Sequence, residues 1–337
     1  MKLLSLSKYI PKKFKENILE IHSSLNKTFL KKHIPLRSLY IETTSFCNLK
    51  CKGCYRNNHD YPPKNINLDL FKKFIDRSPS SSSLYLHGLG EPTVHPNINE
   101  IIEYASKSKK FNNIAFTTNA LAKKPEDYTK LFSNGLTQIT ISVDSLDQKE
   151  VMKIRPPTNV KKLTENIRIL LEKFPGKVKI SMTVNKINKN TFEKTIKKLH
   201  ALGVREISFH PYEDLGYPSL CISYEEKKEF LHKLKDSQIN MALYPSGFTP
   251  VENYCKSPST APYITVTGHL TPCCRICDEK LFNAGNLNEN SFKEIFYSKK
   301  YSQIQKDIEK GKYPPFCKGC TSNHIEVKNL RDKEDKG

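Results

Sequence analysis

Residues 37–55 read RSLYIETTSFCNLKCKGCY. The first part, Arg37 to Thr44, alternates and predicts a β-strand. The thiols follow at its C-terminal end as Cys47-x3-Cys51-x2-Cys54. Zinc sites are normally closed by paired Cys-x2-Cys knuckles that supply four ligands together. Three thiols do not close a tetrahedron, although His59, five residues on, keeps zinc open. Three cysteines on one loop also suit an iron–sulfur cubane with three protein-bound irons and one open iron. An open iron is a reaction site, and loops at the C-terminal ends of barrel strands are where active sites sit.

Working outward, 337 residues suggest about two domains at roughly 150 residues each. Hydrophobic residues at 37% are enough for a core, which excludes wholesale disorder. No apolar run approaches the roughly 18 residues of a membrane span. The opening MKLLSLSKYIPKKFK has only a short apolar patch before Pro11, too short for a secretory signal, so a cytoplasmic protein is expected. The net charge is +20, but only 8 of the 55 basic residues are Arg. Phosphate and base recognition favours the Arg fork. Dispersed lysines therefore point to a solvated surface, or to docking of an acidic redox partner, more than to nucleic acid. The ten cysteines are Cys47, Cys51, Cys54, Cys221, Cys255, Cys273, Cys274, Cys277, Cys317 and Cys320. In a long chain with no secretory signal, thiolates for metal are favoured over disulfides.

The run CNLKCKGC with Tyr55 after it resembles the cluster loop of the radical S-adenosylmethionine (SAM) superfamily. The resemblance implies that Cys47, Cys51 and Cys54 bind a 4Fe–4S cluster whose fourth iron is chelated by the amine and carboxylate of SAM. One electron then splits SAM into methionine and a 5′-deoxyadenosyl radical. The position before the third Cys is often bulky or aromatic in the family and helps seat the adenine. Here it is Gly53, so that contact must come from elsewhere.

Further motifs follow in the family's order. In LYLHGLGEPTVHP, residues 84–96, a strand from Leu84 to His87 runs into Gly88-Leu89-Gly90-Glu91-Pro92. Two glycines would let backbone approach a ligand closely, and Glu91 supplies an acceptor. The segment resembles the Gly-Gly-Glu-Pro stretch whose backbone binds the SAM amine. His87 is either a satisfied strand-end histidine or part of the substrate cavity. Strand Asn113–Thr117 leads into Thr118-Asn119, similar to a Thr-Asn-Gly turn with Ala120 in place of Gly. Strand Leu136–Val143 ends in Ser142, Asp144 and Ser145, which resemble contacts to the SAM ribose or carboxylate. Arg155, in MKIRPP, is the expected bidentate partner of the methionyl carboxylate. In strand Lys177–Val184, Ser181 or Thr183 would face the ribose. Strand Val204–Phe209 precedes His210, Tyr212, Glu213 and Asp214, which with His87 are the candidate proton acceptors. Helical stretches at 68–76, 97–107, 159–173 and 190–202 alternate with these strands. The expected fold is α/β: a partial (β/α)6 TIM-like barrel, open on one side to admit a sizeable substrate.

The second cysteine group begins CKSPSTAPYITVTGHLTPC, residues 255–273, a strand Tyr263–Thr267 turning at Gly268 into a short hairpin. A turn plus a helix follows, then Cys317-x2-Cys320. Spacing alone fits a zinc ribbon and an iron–sulfur site equally well. Together with Gly285-Asn286 it resembles the small C-terminal SPASM/twitch domain, a β-hairpin plus helix around an auxiliary 4Fe–4S cluster. No Cys follows Cys320, so the one-cluster twitch form is expected, with Cys255, Cys273, Cys317 and Cys320 as ligands. Cys274 and Cys277 are surplus, and Cys221 is expected to be a buried or linker thiol. The implied organisation is a basic arm (1–35), the barrel (36–215), a linker (216–250), the auxiliary domain (251–325) and a charged tail (326–337).

The resemblance implies an enzyme that cleaves SAM reductively and abstracts hydrogen from its substrate. A fully ligated auxiliary cluster favours a net oxidation, either alcohol dehydrogenation or peptide modification. A one-electron donor such as flavodoxin or ferredoxin is implied, and a small molecule or peptide as substrate. Two other readings stay open: a radical SAM enzyme acting on RNA or lipid, and a non-enzymatic zinc or iron–sulfur nucleic-acid binder.

Overall fold

Strand β1 (Leu36–Ile41) buries Leu39 and Ile41 completely and leaves Tyr40, on the opposite face, half-buried. Strands β2 (Ser81–Tyr85) and β3 (Phe111–Thr118) follow with a less regular pattern, and the two-residue period is clear in β4 (Gln138–Ser142), β5 (Val178–Val184) and β6 (Glu206–Pro211). In β5 it is unbroken, with Val178, Ile180, Met182 and Val184 buried and the residues between them half-buried. A strand sends successive side chains to opposite faces, so one face of this sheet is apolar and the other polar. The apolar face packs under α2 (Leu68–Arg77), α3 (Ile98–Lys107), α6 (Val160–Lys173) and α7 (Phe192–Ala201). Each helix offers a stripe at helical spacing, such as Phe71, Phe74 and Ile75, or Leu163, Ile167 and Leu170. Asn67 and Asn159 start α2 and α6 by accepting from backbone N–H groups of the first turn.

This computed structural model describes residues 34, 36–61, 63–236, 242–244, 254–317 and 320. Most of the basic arm and all of the charged tail lie outside them. The sheet order is β7-β6-β5-β4-β3-β2-β1-β8-β9, with β1 to β7 parallel. The six expected barrel strands are present, and the sheet extends beyond both ends. Strand β7 (Ala242–Tyr244) joins β6, and it follows helix α8 (Tyr224–Asp236). Residues 216–250, expected as linker, thus contain a seventh βα element.

At the other edge, β8 (Tyr263–Ile264) pairs parallel to β1 and antiparallel to β9 (Leu270–Thr271). The hairpin turns at Gly268, whose φ of +95° favours glycine. The auxiliary module is therefore hydrogen-bonded onto the barrel's first strand, by Tyr40 N to Pro262 O at 3.1 Å and Glu42 N to Ile264 O at 2.9 Å. The expected single helix beyond it is two, α10 (Phe292–Phe296) and α11 (Lys299–Glu309). Among the described residues no helix is long and apolar enough to cross a membrane.

Candidate active site

The three-cysteine loop leaves the C-terminal end of β1 and is pinned on several sides. Lys50 N and Lys52 N donate to Pro156 O and Ile154 O at 2.6 and 2.9 Å, and Arg56 Nη2 donates to Leu49 O at 2.8 Å. Asn57 and Asn58, on α1 (Tyr55–Asn58), donate to Cys51 O and Cys54 O at 2.8 Å each. Cys47, Cys51 and Cys54 are half-buried and in no disulfide. Burial raises the Cys47 thiol and pushes Cys51 up to about 11, with Arg155 pulling Cys51 back. Such thiols are poor free nucleophiles; a metal that displaces the proton is the natural partner of three soft donors on one loop.

In the GLGEP segment the glycines and Glu91 all have partners within the chain. A Cβ on Gly88 would come within 2.3 Å of Tyr263 Oη and 2.5 Å of Glu42 Cγ; one on Gly90 would come within 2.3 Å of Thr44 O. Both glycines are required by close packing against the protein's own β1 end. Glu91 is 3% exposed. Its Oε1 accepts from Thr93 N, Thr93 Oγ1 and Thr118 Oγ1 at 3.2, 2.6 and 2.7 Å, and its Oε2 from Asn119 N at 2.7 Å. Glu91 and Thr118 therefore lock this segment to the β3 turn. Asn119 is the member of the turn that reaches the cluster loop, through Nδ2 to Asn48 Oδ1 at 2.8 Å and toward Cys47 Sγ at 4.0 Å.

Across the loop, Arg155 Nη1 lies 3.5 Å from Asp144 Oδ2, and both side chains are largely buried. Asp144 Oδ1 accepts from Thr183 N at 2.8 Å, which holds the carboxylate against β5. The guanidinium remains charged against burial because of Asp144 and Cys51. Asp144 and Arg155 share one recess with Asn119, Ser142, Ser145 and Leu49, and a second with Cys51, Gly53, Cys54, Thr183 and Tyr212. Ser181 sits opposite Ser142 in register on the same polar face.

That polar face is open. Tyr40, Tyr85, Thr117, Thr140, Ser181 and Ser208 are half-buried on it, whereas the outward neighbours Ile139, Ile141, Ile180 and Ile207 are sealed. Tyr40 stacks on Tyr85 at 4.8 Å, and His87 meets both rings at 5.5 and 5.7 Å. His87 Nδ1 accepts from Thr117 N at 3.3 Å, which assigns the proton of the neutral ring to Nε2. Burial lowers its pKa to about 4, so the His87 ring is neutral near pH 7 and a weak base.

The other candidate proton acceptors separate. Tyr212 is 9% exposed and packs on the cluster loop, with burial raising its hydroxyl. Asp214 Oδ1 accepts from Gly216 N and Tyr217 N and caps its own turn. Glu213 is ion-paired to Arg275. His210 lies at an inward register position opposite Thr183; solvent reaches it, yet the protein around the ring desolvates it enough to lower its pKa despite Glu213.

Sequence reading also missed Glu42. It is fully buried where β1 meets the auxiliary hairpin, accepting from Tyr61 Oη, Val266 N and Leu89 N at 2.6, 2.9 and 3.2 Å.

In the second cysteine group, Cys255, Cys273, Cys317 and Cys320 line one small cavity, walled by Pro258, Ile276, Ile308, Tyr313 and Phe316. Cys274 and Cys277 do not line it. Solvent reaches Cys274, yet protein surrounds it closely enough that desolvation pushes its thiol up to about 11, as for a group facing a recess. Cys277 is buried among Tyr55 and Tyr263. Cys221 is half-buried beyond the β6 loop. Among the described residues no three Cys, His, Asp or Glu side chains close around a single metal ion.

The four soft donors around a walled cavity fit a fully ligated cluster. The three-donor loop beside the Asp144–Arg155 recess fits a cluster with one open iron and SAM against it.

Comparison with known proteins agrees. Residues 41–199 match the family model described as the radical SAM superfamily, and residues 255–321 match an iron–sulfur cluster-binding domain, SPASM. The chain is 26% identical over 322 residues to the antilisterial bacteriocin subtilosin biosynthesis protein AlbA of Bacillus subtilis, covering 88% of this chain and 70% of AlbA. It is 25% identical over 322 residues to the AdoMet-dependent heme synthase of Methanosarcina barkeri, covering 83% and 89%. Among solved structures, Streptococcus suis SuiB bound to S-adenosylmethionine superimposes with a TM-score of 0.68 at 16% identity, covering 93% of this chain and 78% of SuiB. The chain belongs to the radical SAM superfamily and is an enzyme of its SPASM-containing branch, with two kinds of 4Fe–4S site and S-adenosylmethionine as cofactors.

Proposed function

We propose that this enzyme oxidises a peptide, removing hydrogen at an unactivated C–H position and completing a net two-electron modification. The observation that carries the reading is the half-buried polar face of the sheet, which presents neutral hydroxyls, the Tyr40–Tyr85 stack and His87, with Tyr40 on the strand that leads into the cluster loop. Such a face can hydrogen-bond peptide groups and offers stacking surface to a side chain. Two comparisons support it: AlbA is named for bacteriocin biosynthesis, and SuiB was also crystallised with its precursor peptide SuiA, a structure that superimposes with a TM-score of 0.69.

When bound, the first cluster with SAM supplies a hydrogen-abstracting radical, and the second supplies an acceptor for the substrate's electron. The chain's own residues do the rest. Cys47, Cys51 and Cys54 hold the first cluster; Cys255, Cys273, Cys317 and Cys320 hold the second. Arg155, oriented by Asp144, receives the methionyl carboxylate. Asn119, Ser142 and Ser181 border the nucleoside, while the backbone of Gly88 and Gly90 and the carboxylate of Glu91 fix the neighbouring turn. His87 donates to the substrate, and His210 accepts the proton lost on oxidation. A small acidic one-electron carrier reduces the enzyme, drawn by the +20 charge. The barrel sheet runs on past residue 215 through β7, and the auxiliary module begins near 251.

A second reading, dehydrogenation of a small polar alcohol, is favoured by the four cysteines of the auxiliary cavity, the ligand count of a single cubane. The test is anaerobic incubation of the reconstituted enzyme with SAM, dithionite and peptides encoded beside its gene. Mass spectrometry should find a peptide lighter by two hydrogens, formed with 5′-deoxyadenosine. Turnover of polyols with no change in any peptide would replace the first reading by the second.

A further inference from the structure

Arg275 sits on the loop between Cys273 and Cys277 and is 13% exposed. It lines the cavity shared by Cys255, Cys273, Cys317 and Cys320. Its Nη1 is ion-paired with Glu213 Oε2, and its Nη2 donates to Asp214 O at 3.4 Å. Glu213 and Asp214 belong to the loop that follows β6, next in sequence to His210 and Tyr212. One guanidinium thus spans the auxiliary cavity and the barrel. Its charge is favoured by Glu213 first, then by Cys320, against the cost of burial.

We propose that Arg275 is a positioning residue that sets the reduction potential of the auxiliary cluster, and that Glu213 tunes it from the barrel side. Reduction adds negative charge to a core already held by four thiolates. A guanidinium fixed at the wall of a largely apolar cavity stabilises that added charge, so it raises the potential. Glu213 lies beyond the guanidinium and partly cancels it. The two side chains therefore act with opposite sign on the same potential. A change of charge on the loop after β6 is felt at the cluster through a single pair. The planar fork explains the residue type, because it binds the carboxylate and a backbone carbonyl at once.

The proposal rests on the ligand set assigned above, and the experiment separates the two. Iron and sulfide content of Cys255→Ala reports on the ligand set alone. For Arg275, the reconstituted full-length enzyme is titrated potentiometrically by electron paramagnetic resonance, using the signal that Cys255→Ala lacks. Arg275→Met should shift the couple downward by about tenfold in the reduced-to-oxidised ratio, about 59 mV for one electron. Arg275→Lys should shift it less, because it keeps the charge. Glu213→Gln should shift it upward, because it leaves the guanidinium uncompensated. If Arg275→Met fails to assemble the cluster, the Glu213→Gln shift decides. An unchanged potential in Glu213→Gln, or a shift in the same direction as Arg275→Met, overturns the proposal, since a merely structural contact would give no opposed signs.

Discussion

The Tyr212 ring occupies the space that a side chain at Gly53 would fill: a Cβ there would come within 2.4 Å of Tyr212 Cε2. The aromatic surface missing from the cysteine loop is thus supplied from the end of β6. Position 53 is glycine because Tyr212 is there.

Gly53→Ala should therefore destabilise the protein by about 1–3 kcal/mol, the usual cost of overpacking. Combining it with Tyr212→Ala should recover most of that loss, giving a coupling energy well outside additivity. Denaturant unfolding of the two single variants and the double variant, under anaerobic conditions, measures it. Strict additivity would show that the two positions are not packed as described.

Glu91 makes a second prediction. Both of its oxygens accept from backbone N–H groups, Thr93 N on one and Asn119 N on the other. A glutamine has only one carboxamide oxygen, so Glu91→Gln leaves one buried N–H unsatisfied, at about 1–3 kcal/mol. Glu91→Ala leaves both and should cost roughly twice as much. Equilibrium unfolding ranks them. Equal stability of Gln and wild type would mean that the carboxylate is not the hub of this turn.

These two positions also show what the sequence could and could not disclose. Period-two alternation made β5 legible almost to the residue, because one face is sealed and the other polar. Strand β2 begins at Ser81, three residues before the Leu84–His87 run that announced it; its serines are tolerated because Ser81 and Ser83 pair with Leu36 and Ser38. The three-residue β7 is too short for any periodicity. The resemblance to the SPASM/twitch domain picked four of the second group's cysteines, and those four line one cavity. The glycines of GLGEP announced a close approach, but sequence does not say what approaches, and here it is the chain itself. A usable signal went unread. Only 8 residues are Arg in a lysine-rich chain. Arg56, Arg155 and Arg275 all sit at the cysteine loops. Where lysine is the default cation, a retained arginine marks a need for its fork.

The auxiliary ligand set is checked by substitution. Cys317→Ser should remove about half of the bound iron, the share of one cubane in two. Cys274→Ser and Cys277→Ser should keep the full complement, since neither side chain reaches the cavity. Iron and sulfide analysis of the reconstituted proteins, with electron paramagnetic resonance to identify which cluster is lost, gives the answer. Iron loss in Cys274→Ser would put that thiol into the ligand set.

Glu42 carries the pH dependence. Burial raises its pKa from 4.5 to about 7, and the hydrogen bonds from Tyr61, Val266 and Leu89 only partly oppose this. The folded protein thus holds a proton that the unfolded chain has already released. Below about pH 4.5 both states are protonated and the carboxyl imposes no penalty. Between pH 4.5 and 7 the unfolded state gains by ionising while the folded state does not, so stability falls as pH rises. Above that window the loss is constant, on the order of 3 kcal/mol. Glu42→Gln removes the titration and keeps an acceptor for Tyr61. The stability difference between variant and wild type should therefore move in the variant's favour from pH 4.5 to 7 and then level off. Denaturant unfolding of the two proteins across this range, with the difference plotted against pH, tests it. A flat difference would mean that Glu42 is already ionised in the fold, and a difference moving in the wild type's favour would reverse the sign assigned to its burial.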